Sequence, residues 1–303
     1  MKAKPERIIF ESIGEVSKDI MATAVVSAIK REYPKTPIIV STLNPEVWLH
    51  NPDVFRVYKV DIAPYFYDNY VADGKSLMFK LDPYNSDEFI TGGMHLIDAW
   101  CAICGIERKK AQPQLFFTSR EKAVVKKILA SDKPICLIQA NGEPGGLPYP
   151  IPWSRDLDLP QAEDISRQMQ EKGFDVIQIA PIQDKVIQNA RPVVLDNRLL
   201  MAALPLAQKR IFIDSFPQHA AAALGLPSVV IFKTMTAKRH GHSIHTNMEA
   251  NESAYARELR ETYIEQFRVF KMLPADVPTI GPDKLHNTGE IMSALEKLHP
   301  TKK

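Results

Sequence analysis

IFIDSFPQHAAAALGLPSVVIFK, residues 211–233, carries the pattern of one βαβ unit. Ile211-Phe212-Ile213 has the β-branched and aromatic composition of a buried strand. Asp214 and Ser215 follow, both residue types that cap helix N-termini. Phe216 to Leu224 then spells a short helix, with Pro217 in the first turn, where its missing N–H costs nothing, and Gly225 as the stop. Ser228 to Phe232 is a second buried strand. Strand, tight turn, helix and strand make a crossover of a parallel sheet. In such sheets ligands bind outside the carboxyl ends of the strands, where helix N-termini present unpaired N–H groups to anions. Asp214, Ser215, Gln218 and His219 fall at that edge. Asp214 also suits a plain cap and His219 a packed position, so residue type leaves both readings open.

The same alternation runs outward from this unit. Ahead of it, strands are predicted at Ile8–Phe10, Ile38–Val40, Val54–Val60 and Leu77–Phe79. Between them, apolar residues fall at helical spacing from Asp19 to Tyr33, where Tyr33-Pro34 ends the helix. Shorter helices are predicted at Pro45–His50 and His95–Cys104, and a charged one at Ser119–Ala130. Ser131-Asp132-Lys133-Pro134 reads as a linker, after which the pattern restarts with strand Ile135–Ile138 and a Gly/Pro-rich loop, Asn141–Trp153. Helix Gln161–Lys172, strand Val176–Ile179 and a helix near Asn197–Ala207 lead back to residue 211. Asn287-Thr288-Gly289-Glu290 is a capping-box pattern before a last helix, Ile291–Leu298. The expectation is an α/β chain of two Rossmann-like parallel-sheet domains, 1–130 and 131–303, facing a cleft at their carboxyl edges.

Composition narrows the function classes. A chain of 303 residues has room for two domains, and 45% hydrophobic with 24% charged residues is ordinary for a soluble globular protein. No apolar run approaches the roughly 20 residues of a membrane span, and MKAKPERIIFES lacks a signal-peptide core, so a cytoplasmic location is expected. Cys101-x-x-Cys104 lies in an apolar helical pattern without a second ligand pair, which favours packing over redox or zinc chemistry. The net charge of +2 neither demands nor excludes nucleic acid. No G-x-G-x-x-G or Walker loop is present, which argues against NAD and P-loop chemistry.

Three stretches together resemble the heptosyltransferase-like glycosyltransferases of the GT-B fold. Lys18-Asp19-Ile20-Met21-Ala22-Thr23, running on to Tyr33-Pro34, is similar to that family's Gly-Asp-(two apolar)-x-Thr opening helix. Asn51-Pro52-Asp53-Val54 resembles its Asn-Pro-x-Val. Asp214-Ser215-Phe216-Pro217-Gln218-His219 with Ala220–Gly225 is similar to Asp-(Ser/Thr)-Gly-x-x-His-x-x-Ala-Ala-Leu-Gly. The chain departs at Lys18 and Phe216, where the family has Gly. It departs again at Ile151-Pro152-Trp153, which stands in place of Lys-x-Trp and lacks the phosphate-binding Lys; Arg155 could replace that charge. Tyr149-Pro150, Trp153-x-Arg155-Asp156 and Ser215-Phe216-x-Gln218-His219 also resemble members of the superfamily encoded by phages.

The resemblance implies an inverting sugar transfer from a nucleotide-diphosphate sugar, with no bound cofactor and no metal. Such a transfer needs a carboxylate to take the acceptor's proton and cationic or N–H groups to hold the leaving diphosphate. Asp19 keeps the family's spacing to Thr23, although an N-cap role suits it too. Glu15 is the competing carboxylate, and the four extra residues before Thr23 are expected to carry it away from the reacting position. The donor would be held by Asp214, Ser215, Gln218, His219, Arg155 and Lys233, the last at the end of strand Ser228–Phe232. The basic run Lys233–His245 reads as diphosphate neutralisation or as a solvated loop, and His240, His242 and His245 complete no recognised metal spacing. A glycan, a lipid-linked sugar and the hydroxymethylated bases of phage DNA all remain open as acceptors. A non-catalytic GT-B module that binds a nucleotide or glycan is the reading from a different class.

Overall fold

The computed structural model describes residues 5–60, 63–91, 93–142, 155–179, 185–233, 235–250 and 285–298. The chain divides into two compact units, 1–118 and 119–303.

Unit 1 is built on β1 (Arg7–Ser12), β2 (Ile38–Thr42), β3 (Arg56–Lys59) and β4 (Ser76–Phe79). They pair in parallel in the order β3-β2-β1-β4. Ser12 lies opposite Thr42, so the central strands end level. These strands are unbroken apolar runs, Ile8-Ile9-Phe10 beside Ile38-Ile39-Val40, because helices cover a parallel sheet on both faces. The helices are α1 (Val16–Glu32), α2 (Phe66–Tyr70), α3 (Asp87–Ile90) and α4 (Leu96–Ile103). From Lys18 to Ile29 every residue of α1 is buried, as befits a helix packed on all sides.

Unit 2 opens with α5 (Ser119–Ile128). It continues through β5 (Ile135–Ile138), α6 (Leu159–Glu171), β6 (Asp175–Ile179), β7 (Arg191–Val193) and α7 (Asn197–Ala203). Then come β8 (Lys209–Ile213), α8 (Phe216–Ala223), β9 (Val229–Phe232), α9 (Ala237–His240), β10 (Thr246–Glu249) and α10 (Thr288–Lys297). The six strands are parallel in the order β10-β9-β8-β5-β6-β7. Ile138, Ile211, Ile213, Val229 and Ile231 of the sheet share a core with Ile165 and Met169 of α6 and Ile291 and Leu295 of α10. Asn287 caps α10 by accepting from Glu290 N at 3.2 Å, as the capping-box pattern expects.

The division falls between residues 118 and 119 rather than at the expected 130/131. Helix α5 packs on α7, where Arg198 Nε donates to Glu121 Oε1 at 2.6 Å, and Val125 and Leu129 are 0% and 1% exposed. In sequence the polar stretch Ser131–Pro134 after this helix reads as the linker and assigns the helix to the first domain, but its apolar stripe belongs to unit 2. A fragment 119–303 should therefore be more stable than a fragment 131–303, by on the order of 3 kcal/mol from the lost burial of two aliphatic side chains. Urea denaturation of the two fragments measures the difference, and equal midpoints would return the boundary to 130/131.

Candidate functional site

In unit 1 the chain leaves β1 at Ser12, turns through Ile13 and Gly14, and enters α1. Gly14 has φ +155°, and a Cβ there would stand 2.8 Å from Lys18 Cδ, so glycine is required for the Lys18 stem to pass. Lys18 Nζ donates to Ile13 O and to Asp82 Oδ2, both at 2.8 Å, and lies over the Trp100 ring. The departure from the family's Gly is thus absorbed internally, as a tether from α1 to the turn after β4.

Glu15 takes the N-cap position of α1, and its carbonyl accepts from Asp19 N at 3.3 Å. Asp19 therefore lies inside the first turn, and its capping reading falls away. Glu15, half-buried, stands one turn ahead of Asp19 in the chain.

Asp19 is 0% exposed. Thr42 Oγ1 and Asn44 Nδ2 both donate to its Oδ2, each at 2.6 Å. Its Oδ1 makes no regular hydrogen bond, although the Ser12 hydroxyl and the Trp48 indole are near enough to lower the pKa. Burial outweighs these neutral donors and pushes the carboxyl up to about 6 from an ordinary 3.8. A folded-state pKa above the unfolded one means that Asp19 contributes stability that is complete below pH 4 and lost as pH rises through 6. The span of about two pH units is worth about 3 kcal/mol. The stability of Asp19→Asn relative to the native chain should thus be greatest above pH 6 and should shrink as pH falls toward 4. Chemical denaturation across that range measures it, and a difference independent of pH would mean that the Asp19 carboxyl titrates normally.

In unit 2 the predicted residues gather at the carboxyl edge of the sheet, but they divide by exposure. Asp214 and Ser215 leave β8 half-buried. Ser215 occupies the cap position of α8 without capping it; its hydroxyl donates instead to Gln139 Oε1, just past β5, at 2.5 Å. Gln218 Nε2 donates to Asp214 Oδ1 at 2.5 Å. Gln218 and His219 are 0% and 2% exposed. His219 Nδ1 shares a 2.8 Å hydrogen bond with His242 Nε2, and His245 Nε2 meets Gln218 O at 2.9 Å. Three of the chain's histidines thus form a packed, hydrogen-bonded row behind α8. Burial holds His245 near pKa 4, so it is neutral at pH 7. Among the described residues, no three His, Cys, Asp or Glu side chains converge as a metal site would require.

The cations lie farther along the edge. Lys233, directly after β9, is 4% exposed, approaches Asp158 Oδ2 at 3.5 Å, and has its pKa lowered by burial. Lys185, after β6, donates to Asp156 Oδ2 at 2.6 Å. Arg155 is half-buried, with its stem beside Gly142. Sequence reading missed Lys185 and wrongly took the chain to lack an Asp-x-Asp pair, one ground for expecting no metal; Asp156-Leu157-Asp158 is such a pair, and each of its carboxylates faces a lysine. Ile151-Pro152-Trp153 and most of the Gly/Pro-rich loop lie outside the described residues. Burial raises the Cys101 and Cys104 thiols to about 11 and 12, in keeping with packing rather than redox chemistry.

Two parallel α/β units of four and six strands define a GT-B glycosyltransferase fold. Among solved structures, the chain is similar to a glycosyl transferase family 9 protein from Veillonella parvula. The TM-score is 0.71 at 13% identity, over 98% of each chain. It is similar also to the ADP-heptose lipopolysaccharide heptosyltransferase II of E. coli, with a TM-score of 0.59 at 13% identity over 80% of this chain and 90% of that one. The iron-containing dodecameric glycosyltransferase TibC of enterotoxigenic E. coli matches at 0.59 and 11% identity, over 82% of this chain and 63% of its own. At these identities the likeness establishes the fold. No protein-family model matches the sequence, and the comparison with curated proteins found no match. No helix among the described residues is long and apolar enough to cross a membrane.

Proposed function

We propose that this protein is a glycosyltransferase that moves a sugar from a nucleotide-diphosphate sugar to an acceptor hydroxyl, with inversion and without an obligatory metal. The observation that carries the reading is Asp19, a buried carboxyl with a pKa of about 6 at the start of the helix after β1, on the fold described above. A general base works best with a pKa near the working pH, and desolvation supplies that here. The acceptor hydroxyl gives its proton to Asp19 while its oxygen attacks the anomeric carbon. The bond from that carbon to the diphosphate breaks with its electron pair leaving on the phosphate oxygen. Asn44 is half-buried and covers Asp19 Oδ2, so an entering hydroxyl takes the place of its amide. In unit 2, the half-buried Asp214 and Ser215 frame the donor, with Gln218 and His219 packed behind them as support, and Arg155 and Lys233 neutralise the leaving diphosphate.

Asp19→Asn should cut turnover by about 10²–10⁴-fold with donor affinity retained, and native turnover should fall as pH drops below about 6. A panel of nucleotide sugars offered with glycan, lipid-linked-sugar and hydroxymethylated-DNA acceptors provides the assay. Because Glu15 is more exposed than Asp19, it is the second candidate base; a dead Glu15→Gln beside an active Asp19→Asn would move the assignment there. Donor binding without hydrolysis or transfer across the whole panel would leave a binding module.

Metal independence predicts that transfer survives excess EDTA. Activity lost to the chelator and restored by a divalent cation would overturn it.

A further inference from the structure

We propose that Lys185 is a cation preset for the diphosphate of the donor, an inference that rests on the donor-site reading above. The observation is how much buried polar structure is devoted to this one residue. Gln178, 0% exposed in β6, and Asn141, 1% exposed just after β5, both donate to the Lys185 carbonyl, at 2.8 and 3.3 Å. Gln178 Oε1 meanwhile accepts from Ile187 N at 2.8 Å, so the backbone is pinned on both sides of residue 186. Asp156, 5% exposed, takes the Lys185 ammonium on Oδ2, and its Oδ1 accepts from Gly142 N at 3.1 Å.

Burying two amides and a carboxylate is unfavourable unless their hydrogen bonds are made, and here they are made to one lysine and the loops beside it. The carboxylate stands behind the ammonium: the Asp156 side chain is 6% exposed, whereas that of Lys185 is 32% exposed. The outward charge is positive although the pair is neutral. Burial is the main cause of the lowered Lys233 pKa, and the Lys185 charge adds a lesser lowering of its own. Both lysines follow strands that end at the same carboxyl edge, where an open parallel sheet receives its ligands. Preset cations of this kind stabilise charge on a leaving diphosphate without reorganising as it forms. Lys185 then adds a cation to those of Arg155 and Lys233.

The test is calorimetric binding of ADP, GDP, UDP, CDP and TDP to the full chain at two salt concentrations, for the native protein, Lys185→Met and Lys185→Arg. For whichever diphosphate the native protein binds, Lys185→Met should weaken affinity about 10–100-fold and flatten its salt dependence, with Lys185→Arg within a few-fold of native. Equal affinity of Lys185→Met and the native protein overturns the assignment while leaving the donor site standing. Equal weakening in Met and Arg variants with unchanged salt dependence makes Lys185 a structural prop and overturns it too. A native protein that binds none of the five overturns the donor-site reading, and this inference with it.

Discussion

Every strand of a parallel sheet ends at the same edge, and there the backbone leaves the ladder while still enclosed by protein. The polar groups released at that edge need partners that regular structure does not supply. In this chain polar side chains gather there and bond to one another and, at Lys185, to the backbone. Thr42, the last residue of β2, and Asn44 just beyond it close on Asp19. Gln139 holds Ser215, Asp214 holds Gln218, and Gln178 with Asn141 holds the backbone at Lys185. Each sheet's carboxyl edge therefore collects its own polar side chains, carboxylate with amide and hydroxyl in unit 1 and carboxylates with amides and lysines in unit 2, and each candidate site grows out of one edge.

What such a cluster can do depends on which charges it opposes. Asp19 and Asp156 are both buried carboxylates, yet their company differs. Asp156 faces an ammonium at 2.6 Å. Asp19 faces only hydroxyl, amide and indole groups, because the adjacent Lys18 turns its charge to Asp82. A carboxylate offered neutral donors and no water keeps a penalty on its charged form, which makes it a better proton acceptor than a salt-bridged one. Lys18, next in the chain, could have spoiled this by pairing with Asp19, but its ammonium is held by Asp82 and the Ile13 carbonyl, and its stem passes close over Gly14.

Much of this architecture is legible in the sequence. The central strands are short apolar runs and the helices between them carry helical periodicity, so β1, β2, β5, β8 and β9 and helices α1, α6 and α8 can be placed by inspection. The edge strands β7 and β10, Arg191–Val193 and Thr246–Glu249, are half-exposed and polar or proline-bearing, and resemble loop until their neighbours are known. The start of α1 hides for a related reason: Glu15 takes the cap position without a capping side-chain bond, so Asp19 looks like the first residue when it is in fact one turn inside. Residue types pointed to Gln218 and His219 as ligand contacts, but their burial depends on His242 and His245, more than twenty positions away in the chain. Lys185 carries no local signal at all. Its partners lie on β6, after β5 and ahead of α6, and only the sheet order brings them together.

Asp156-Leu157-Asp158 shows why spacing needs geometry before it becomes chemistry. Two carboxylates at i and i+2 can offer oxygens to a divalent cation, the arrangement that metal-dependent sugar transfer would use. Here one oxygen of each is engaged by an ammonium, Lys185 on Asp156 and Lys233 on Asp158. A divalent ion at this pair would have to displace both lysines, leaving two cations beside it and the combined charge repulsive. A diphosphate reverses that balance, since it draws the ammonium groups forward while the carboxylates keep them from drifting apart. On the proposed donor-site reading, the two lysines would take the electrostatic role that a bound metal fills at an Asp-x-Asp pair without them.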